Sequence, residues 1–230
     1  MTLLAPEDVQ AIALSLKVAA TATAVDLPVA FGCAYVLARY RFPGRALLDA
    51  ATHLPLVLPP VATGYILLIL LGGRGLIGQP LATLGIVFAF RWTGAALAAA
   101  VMAFPLMVRP IRLSIEAIDR EVDEVARTLG AGRITRLIRV TVPLAAPGLA
   151  AGAVLGFAKA LGEFGATITF VAAIPGETRT LPSAIYQATQ TPGADGQAVI
   201  LCLIAAAIAV TAVLASDAVS RRIARRREPG

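Results

Sequence analysis

Few side chains in this 230-residue sequence could do chemistry, and those that could lie inside apolar runs. Lys159 and Glu163 stand four residues apart, Asp26 precedes Pro28 by two, and His53 is the single histidine. Ionisable groups in an apolar run face protein or water rather than lipid, where they mark ion paths, gates or buried pairs. Lys159 and Glu163 therefore have two readings. They line a translocation path or its gate, or they pair at i, i+4 as structural glue, in the weaker Lys-before-Glu order. Asp26 likewise reads as a pathway residue or as a packed carboxyl beside a proline kink. His53 has no Cys or His neighbour to share a metal, and Cys33 and Cys202 fall in separate apolar runs, so no metal site or bridge is expected. A phosphate loop is missing too: Gly72 to Gly78 lacks the lysine that the Gly-x-x-x-x-Gly-Lys-Ser/Thr pattern requires.

The elements that must position these residues are membrane helices. Hydrophobic residues make up 58% of the chain and charged ones 15%, against about 25% charged in an ordinary soluble domain. Mean hydropathy is +0.80. A crossing needs roughly 20 apolar residues, and five stretches qualify, over about 11–38, 46–71, 92–114, 144–171 and 198–219. Residues 81–90 are apolar but cover about half a span, which places them at the interface or in a re-entrant turn. Pro55, Pro59 and Pro60 make the start of the second span irregular, and irregular backbone at membrane depth needs protein or water around it. That expectation puts span two in the bundle core.

Charge sets the orientation. Of 20 basic residues, 15 lie in three places: Arg39, Arg41 and Arg45; the stretch 109–139; and the tail Arg221, Arg222, Arg225, Arg226 and Arg227. Lysine- and arginine-rich loops stay in the cytoplasm. The N-terminus, 1–10, is thus expected outside and the basic tail, 220–230, inside. Arg74, Arg91 and Arg179 fall on the outer side, where they could attract an anion, with Glu177 and Asp195 in the same loops. The basic residues do not interleave with aromatics on a polar face, so nucleic acid is not an expected partner.

The most informative segment is the polar connection 118–143. Glu121, Asp123 and Glu124 open a helical stretch, and Gly130, Ala131 and Gly132 interrupt it with a tight, left-handed turn. A second short helix is expected from about Arg133 to Val140, until Pro143 breaks it. In span four, Gly148, Gly152, Gly156, Lys159 and Glu163 fall on one helical stripe, whose small residues mark close helix contact.

Glu124-Val125-Ala126, Gly130 six residues after the Glu, and Val140-Thr141-Val142-Pro143 match the spacing of the "EAA" loop of bacterial ABC import permeases. Valine stands at three positions where that pattern usually has Ala, Ile and Leu. Across nearly the whole chain the sequence resembles the molybdate-transporter permeases, at Phe42 to Arg45, Leu54 to Pro60, Ala126 to Gly132, Leu161 to Thr167 and Ile174 to Thr180. Sulfate permeases share a related Gly-Glu-Phe-Gly segment.

The resemblance implies an all-α integral membrane protein of the type I ABC importer permease fold, in a bacterial cytoplasmic membrane. In that family the loop forms a coupling helix on the ATPase, which here assigns Glu124, Ala126, Gly130, Gly132, Val140 and Pro143 to coupling. Lys159, Gly162, Glu163, Gly165 and Asp26 become pathway or gate candidates. Implied partners are a second permease copy, a cytoplasmic ATP-binding subunit dimer, a periplasmic oxyanion-binding protein and membrane lipid, with no cofactor and no catalytic residue. The cargo is an oxyanion, with molybdate expected and tungstate or sulfate the alternatives. An ion-coupled secondary transporter is the competing class. It would favour internal repeats, and none is found.

Overall fold

The computed structural model describes residues 5–225, without the side chains of Arg120, Val213 and residues 215–225. Arg226 and Arg227 of the basic tail, and the side chains of Arg221, Arg222 and Arg225, lie outside the described residues. Every regular element among the described residues is helical: α1 Pro6–Arg39, α2 Arg45–Val57, α3 Pro60–Leu71, α4 Gly78–Thr83, α5 Trp92–Glu116, α6 Arg120–Thr128, α7 Arg133–Arg136, α8 Val142–Leu144, α9 Ala146–Leu161, α10 Gly165–Val171, α11 Leu181–Gln190 and α12 Asp195–Arg225. Three are long and apolar enough to cross a bilayer singly: α1, α5 and the Asp195–Ala212 part of α12.

The bundle is organised on α5. Its buried face is rich in alanine, with Ala95, Ala98 and Ala99 fully covered, so neighbouring backbones approach closely. On one side lies α1, whose buried residues Ala11, Ser15, Val18, Ala22, Asp26, Ala30, Ala34 and Leu37 recur every three or four positions. Helix α1 runs unbroken through Pro28. On the other side lies α9, where a Cβ on Gly148 would meet Ser114, one on Gly152 would meet Ile111, and one on Gly156 would meet Met107. The predicted glycine stripe is therefore real, and Gly148, Gly152 and Gly156 form a close seam with α5.

Span two is broken at two of the prolines expected to make it irregular, Pro59 and Pro60. Helices α2 and α3 are bent by 113° at Leu58 and Pro59. Pro59 and Pro60 lack the N–H groups that would continue α2, and the ring of Pro59 disfavours helical backbone at Leu58, which is extended. Leu48 packs on the cluster holding Leu37, Ile111 and Ile115, whereas Leu67, Leu68 and Leu71 pack on the cluster holding Val18, Ala95 and Ala96. The two limbs thus travel from one end of α5 to the other. They are not in the core of the chain, since only Thr52, Thr63 and Gly64 are buried on them.

Span four is also discontinuous. Helix α9 stops at Leu161, residues 162–164 are irregular, and α10 begins at Gly165, so Glu163 leaves the helical stripe on which spacing placed it. At the other end the chain bends by 68° at Ala145. Residues 84–91 make no regular helix, in keeping with a segment too short to cross.

Candidate functional site

The polar connection folds as a helical hairpin whose turn is specified by backbone bonds. Asp119 caps α6, its Oδ1 accepting the Glu121 N–H at 3.0 Å. At the far end, Gly130 N–H donates to Arg127 O and Ala131 N–H to Ala126 O, both at 3.0 Å. That pair of bonds is a Schellman motif with Gly130 in the left-handed position, φ +82°. A side chain at Gly130 would meet nothing within 4 Å, so glycine is required there by backbone angle alone. Gly132 differs from expectation: its φ is −64° with extended ψ, and a Cβ on it is also unobstructed.

One residue braces the hairpin. Arg136 donates from Nε to Asp123 Oδ1 at 3.0 Å and from Nη1 to Ala131 O at 3.2 Å, joining α6, the turn and α7 through a planar fork. Helical backbone then continues past Val140, because Leu137–Thr141 form a π-turn closed by Val142 N–H on Leu137 O. The wider turn accommodates Pro143, which needs no N–H partner and whose ring would clash with a carbonyl in an α-helix. Pro143 therefore sits within α8, and the break falls two residues later at Ala145. Both hairpin ends are anchored in one buried cluster, through Ile118 on one side and Ala145 on the other, against Ala34 and Leu37 of α1.

The second candidate centre is the break between α9 and α10. Lys159 Nζ donates to Glu163 Oε2 at 2.7 Å, and Glu163 Oε1 accepts the Ala166 N–H at 2.9 Å. Thr167 Oγ1 reaches the Phe164 carbonyl at 2.9 Å. Glu163 is 2% exposed, and its carboxylate neutralises Lys159 while capping α10. The i, i+4 pair anticipated from spacing is formed, and it holds a discontinuity in place of a continuous helix. The two broken spans meet here: a Cβ on Gly165 would lie 2.7 Å from Pro60 Cβ, and one on Gly64 would overlap the Ala166 backbone. Gly162 is the α9 C-cap, in ordinary contact with its surroundings.

Comparison with known proteins bears on what such a hairpin serves. Residues 27–228 match the family model described as a binding-protein-dependent transport system inner membrane component. This chain belongs to that permease family. It is 55% identical to the molybdenum transport system permease protein ModB of Escherichia coli K12 over 213 residues, 92% of this chain and 93% of the relative. The Haemophilus influenzae protein of the same name is 49% identical, over 94% and 95% of the two chains. A crystal structure of a bacterial alginate ABC transporter, in complex with alginate pentasaccharide-bound periplasmic protein, aligns with TM-score 0.76 at 18% identity, over 95% of this chain and 80% of that one. The fold is that of the ABC importer permeases, and the protein is a transport component of the inner membrane.

For a permease of this family the hairpin carries a feature that the loop motif does not mention. Val122 and Val125 on α6 and Leu129 at its C-cap, with Ile134 and Ile138 beyond the turn, are 42–81% exposed. The first three follow i, i+3, i+7 spacing, one face of a helix; that periodicity was legible in an otherwise polar segment. Glu124 is exposed and lines a cleft of about 350 Å³ with Tyr35, Arg39, Arg133 and Arg136. The hairpin thus gathers Glu124, Ala126, Gly130, Gly132, Val140 and Pro143 on one unit, remote in sequence from the α9–α10 break.

The remaining candidates divide. Asp26 is buried on α1 with Oδ2 unpartnered, away from the Lys159–Glu163 pair in hydrogen-bonding terms. Arg179, expected as an anion attractor, is instead tied at 3.0 Å to Glu7 and lies 3.7 Å from Asp8. Asp8 also accepts from Gln197 at 2.7 Å, so three distant segments are fastened where α1 begins. The Ile174 to Thr180 motif is structural as well: Thr178 Oγ1 bonds Val171 O and Ala172 O and accepts from Ile174 N–H, holding Ala172 at φ +59°. Helix α11 spans Leu181–Gln190 with Pro182 in its first turn, packed on Ala11 and Leu201. His53 Nδ1 contacts the Asp49 carbonyl, and no metal-binding cluster occurs among the described residues.

Proposed function

We propose that this permease forms the membrane path of an ATP-driven importer whose cargo is molybdate, delivered outside by a binding protein and driven inside by a separate ATPase. The observation that carries the coupling part is the exposed apolar stripe of Val122, Val125 and Leu129 on a braced hairpin. An apolar face held clear of lipid on a polar unit is a docking surface. The molybdate part rests on the relatives, each of which is a molybdenum permease along nearly its whole length.

In this reading the chain crosses five times: α1, the bent α2–α3 pair, α5, α9 with α10, and α12, with the N-terminus outside. Arg133, Arg136 and Arg139 keep the limb before α9 out of hydrocarbon, since each arginine there costs ~2.5–3.5 kcal/mol at the membrane centre. Exposed Val57, Val61, Tyr65 and Ile69 on α2 and α3 supply the face for a second copy, and the route follows the two-fold axis. Nucleotide-driven closure of the ATPase pair moves the two hairpins as rigid bodies, and the shared cluster at Ile118 and Ala145 passes that motion to α1, α5 and α9. The Lys159–Glu163 break, Gly165 and Asp26 belong to the moving path.

The test is uptake into vesicles holding the permease, its ATPase and its binding protein. Molybdate accumulation should require ATP and survive collapse of ion gradients. Uptake that follows a gradient and ignores ATP rejects the coupling reading, while ATP-driven uptake of sulfate in preference to molybdate or tungstate rejects only the cargo.

A further inference from the structure

Between α1 and α5 lies an apolar groove of about 300 Å³, lined by Thr21, Ala22, Val25, Trp92, Ala96 and Leu97. At its head Lys17 holds its ammonium 3.5 Å from the centroid of the Trp92 ring. Lys17, Thr21 and Val25 are spaced by four, so they share one face of α1. From Lys17 to Val25 is two turns, about 12 Å along the axis. One leaflet of a bilayer has hydrocarbon about 15 Å deep, half of the ~30 Å core. The groove therefore spans most of a leaflet, with a cation and an interfacial aromatic at one end and hydrocarbon-compatible walls along the rest.

We propose that this groove binds one anionic diacyl phospholipid, its phosphate on Lys17 and an acyl chain along Thr21, Val25 and Leu97. Lys17 is exposed and has no carboxylate partner among the described residues, whereas Glu177 is turned to the Trp92 backbone N–H at 3.4 Å. Stacking on Trp92 leaves the ammonium's outer hydrogens free for phosphate oxygens. A second permease copy is a poorer occupant, because an apolar helix laid here would strip water from Lys17 without pairing it. The site would tie the bundle's outer end to membrane composition.

Trp92 is the only tryptophan of the chain and forms part of the groove, so its fluorescence reports occupancy directly. The full-length permease is reconstituted in phosphatidylcholine vesicles containing a few per cent of either phosphatidylglycerol or phosphatidylcholine with brominated acyl chains. Brominated phosphatidylglycerol should quench Trp92 several-fold more at equal mole fraction, and the excess should saturate. Lys17→Gln should bring the two lipids to equal quenching, Arg91→Gln should leave the preference intact, and Thr21→Phe should remove the saturable part. ATP-driven uptake by each variant in the full complex verifies folding. Equal quenching by both lipids in the parent chain, a preference unaffected by Lys17→Gln, or no quenching by either lipid, as under a covering second copy, would overturn the proposal.

Discussion

The hairpin of residues 119–144 and the break at residues 162–164 solve opposite problems. The hairpin is mostly exposed and is made rigid by local backbone bonds and one guanidinium brace, Arg136 on Asp123 and Ala131. The break lies in the bundle and is fixed by a carboxylate, Glu163, that is 2% exposed and satisfied by Lys159 and Ala166. The lever proposed above would need stiffness and a surface for its partner, and the hairpin's bonds stay within the unit while Val122 and Val125 are exposed. A joint inside a membrane must satisfy every freed polar group, so its bonds reach across the gap it creates. The same loss should therefore be graded in the hairpin and steep at the break.

Removing the counter-ion at the break should have the largest effect. Lys159→Met leaves a buried carboxylate unpaired, a loss of about 3–5 kcal/mol in buried pairs, and ATP-driven uptake should fall to background with reduced permease in the membrane. Glu163→Gln keeps an acceptor for Ala166 N–H and strands only the part-exposed ammonium, so it should be milder, and the double variant should recover part of what Lys159→Met lost. Abolished uptake in Glu163→Gln with normal assembly would instead give the carboxylate a role in the path itself.

Next comes Gly130→Val. Left-handed backbone costs an L-residue about 1–2 kcal/mol, and more when β-branched, so uptake should drop about tenfold and co-purification of the ATPase should weaken. Intact uptake would count against the turn. Asp123→Asn, which removes charge from the Arg136 brace, should reduce uptake about two- to fivefold, with ATPase activity less dependent on the binding protein. The exchange Asp123→Arg with Arg136→Asp should restore part of that dependence. Gly132→Ala should change neither assembly nor uptake by more than about twofold, because its backbone is extended and open. A large loss there would mean that the partner, and not the turn, demands glycine.

The contrast also explains what could be read from residues alone. The hairpin was legible because its determinants are local: Glu121, Asp123 and Glu124 opening the first helix, Gly130 six residues after Glu124, and basic residues along the loop. Apolar length likewise revealed α1, most of whose buried residues keep helical spacing, and α5, which is covered on most sides over Gly94 to Val108. The breaks were not legible to the same degree. Leu161 to Thr167 has no proline to announce an interruption, and α9 ends where Gly165 must meet Pro60 of another element. Pro143 misled in the other direction, since the π-turn at Leu137–Thr141 absorbs it. Arg179 looked available for anions because its partners, Glu7 and Asp8, are far away in sequence. Periodicity finds which face is covered, but distant residues decide where a helix stops and which charges are spent.

If a separate ATPase grips the hairpin from inside the cell, as proposed above, Leu129 lies under that grip, being 81% exposed at the end of α6. In a chain with Cys33 and Cys202 replaced by Ser, Leu129→Cys is treated with a membrane-impermeant maleimide in inverted and right-side-out vesicles, with and without the ATPase. Labelling is expected only in inverted vesicles, with protection when the ATPase is bound. Labelling from the outside, or equal labelling with the ATPase in place, would contradict the proposed grip.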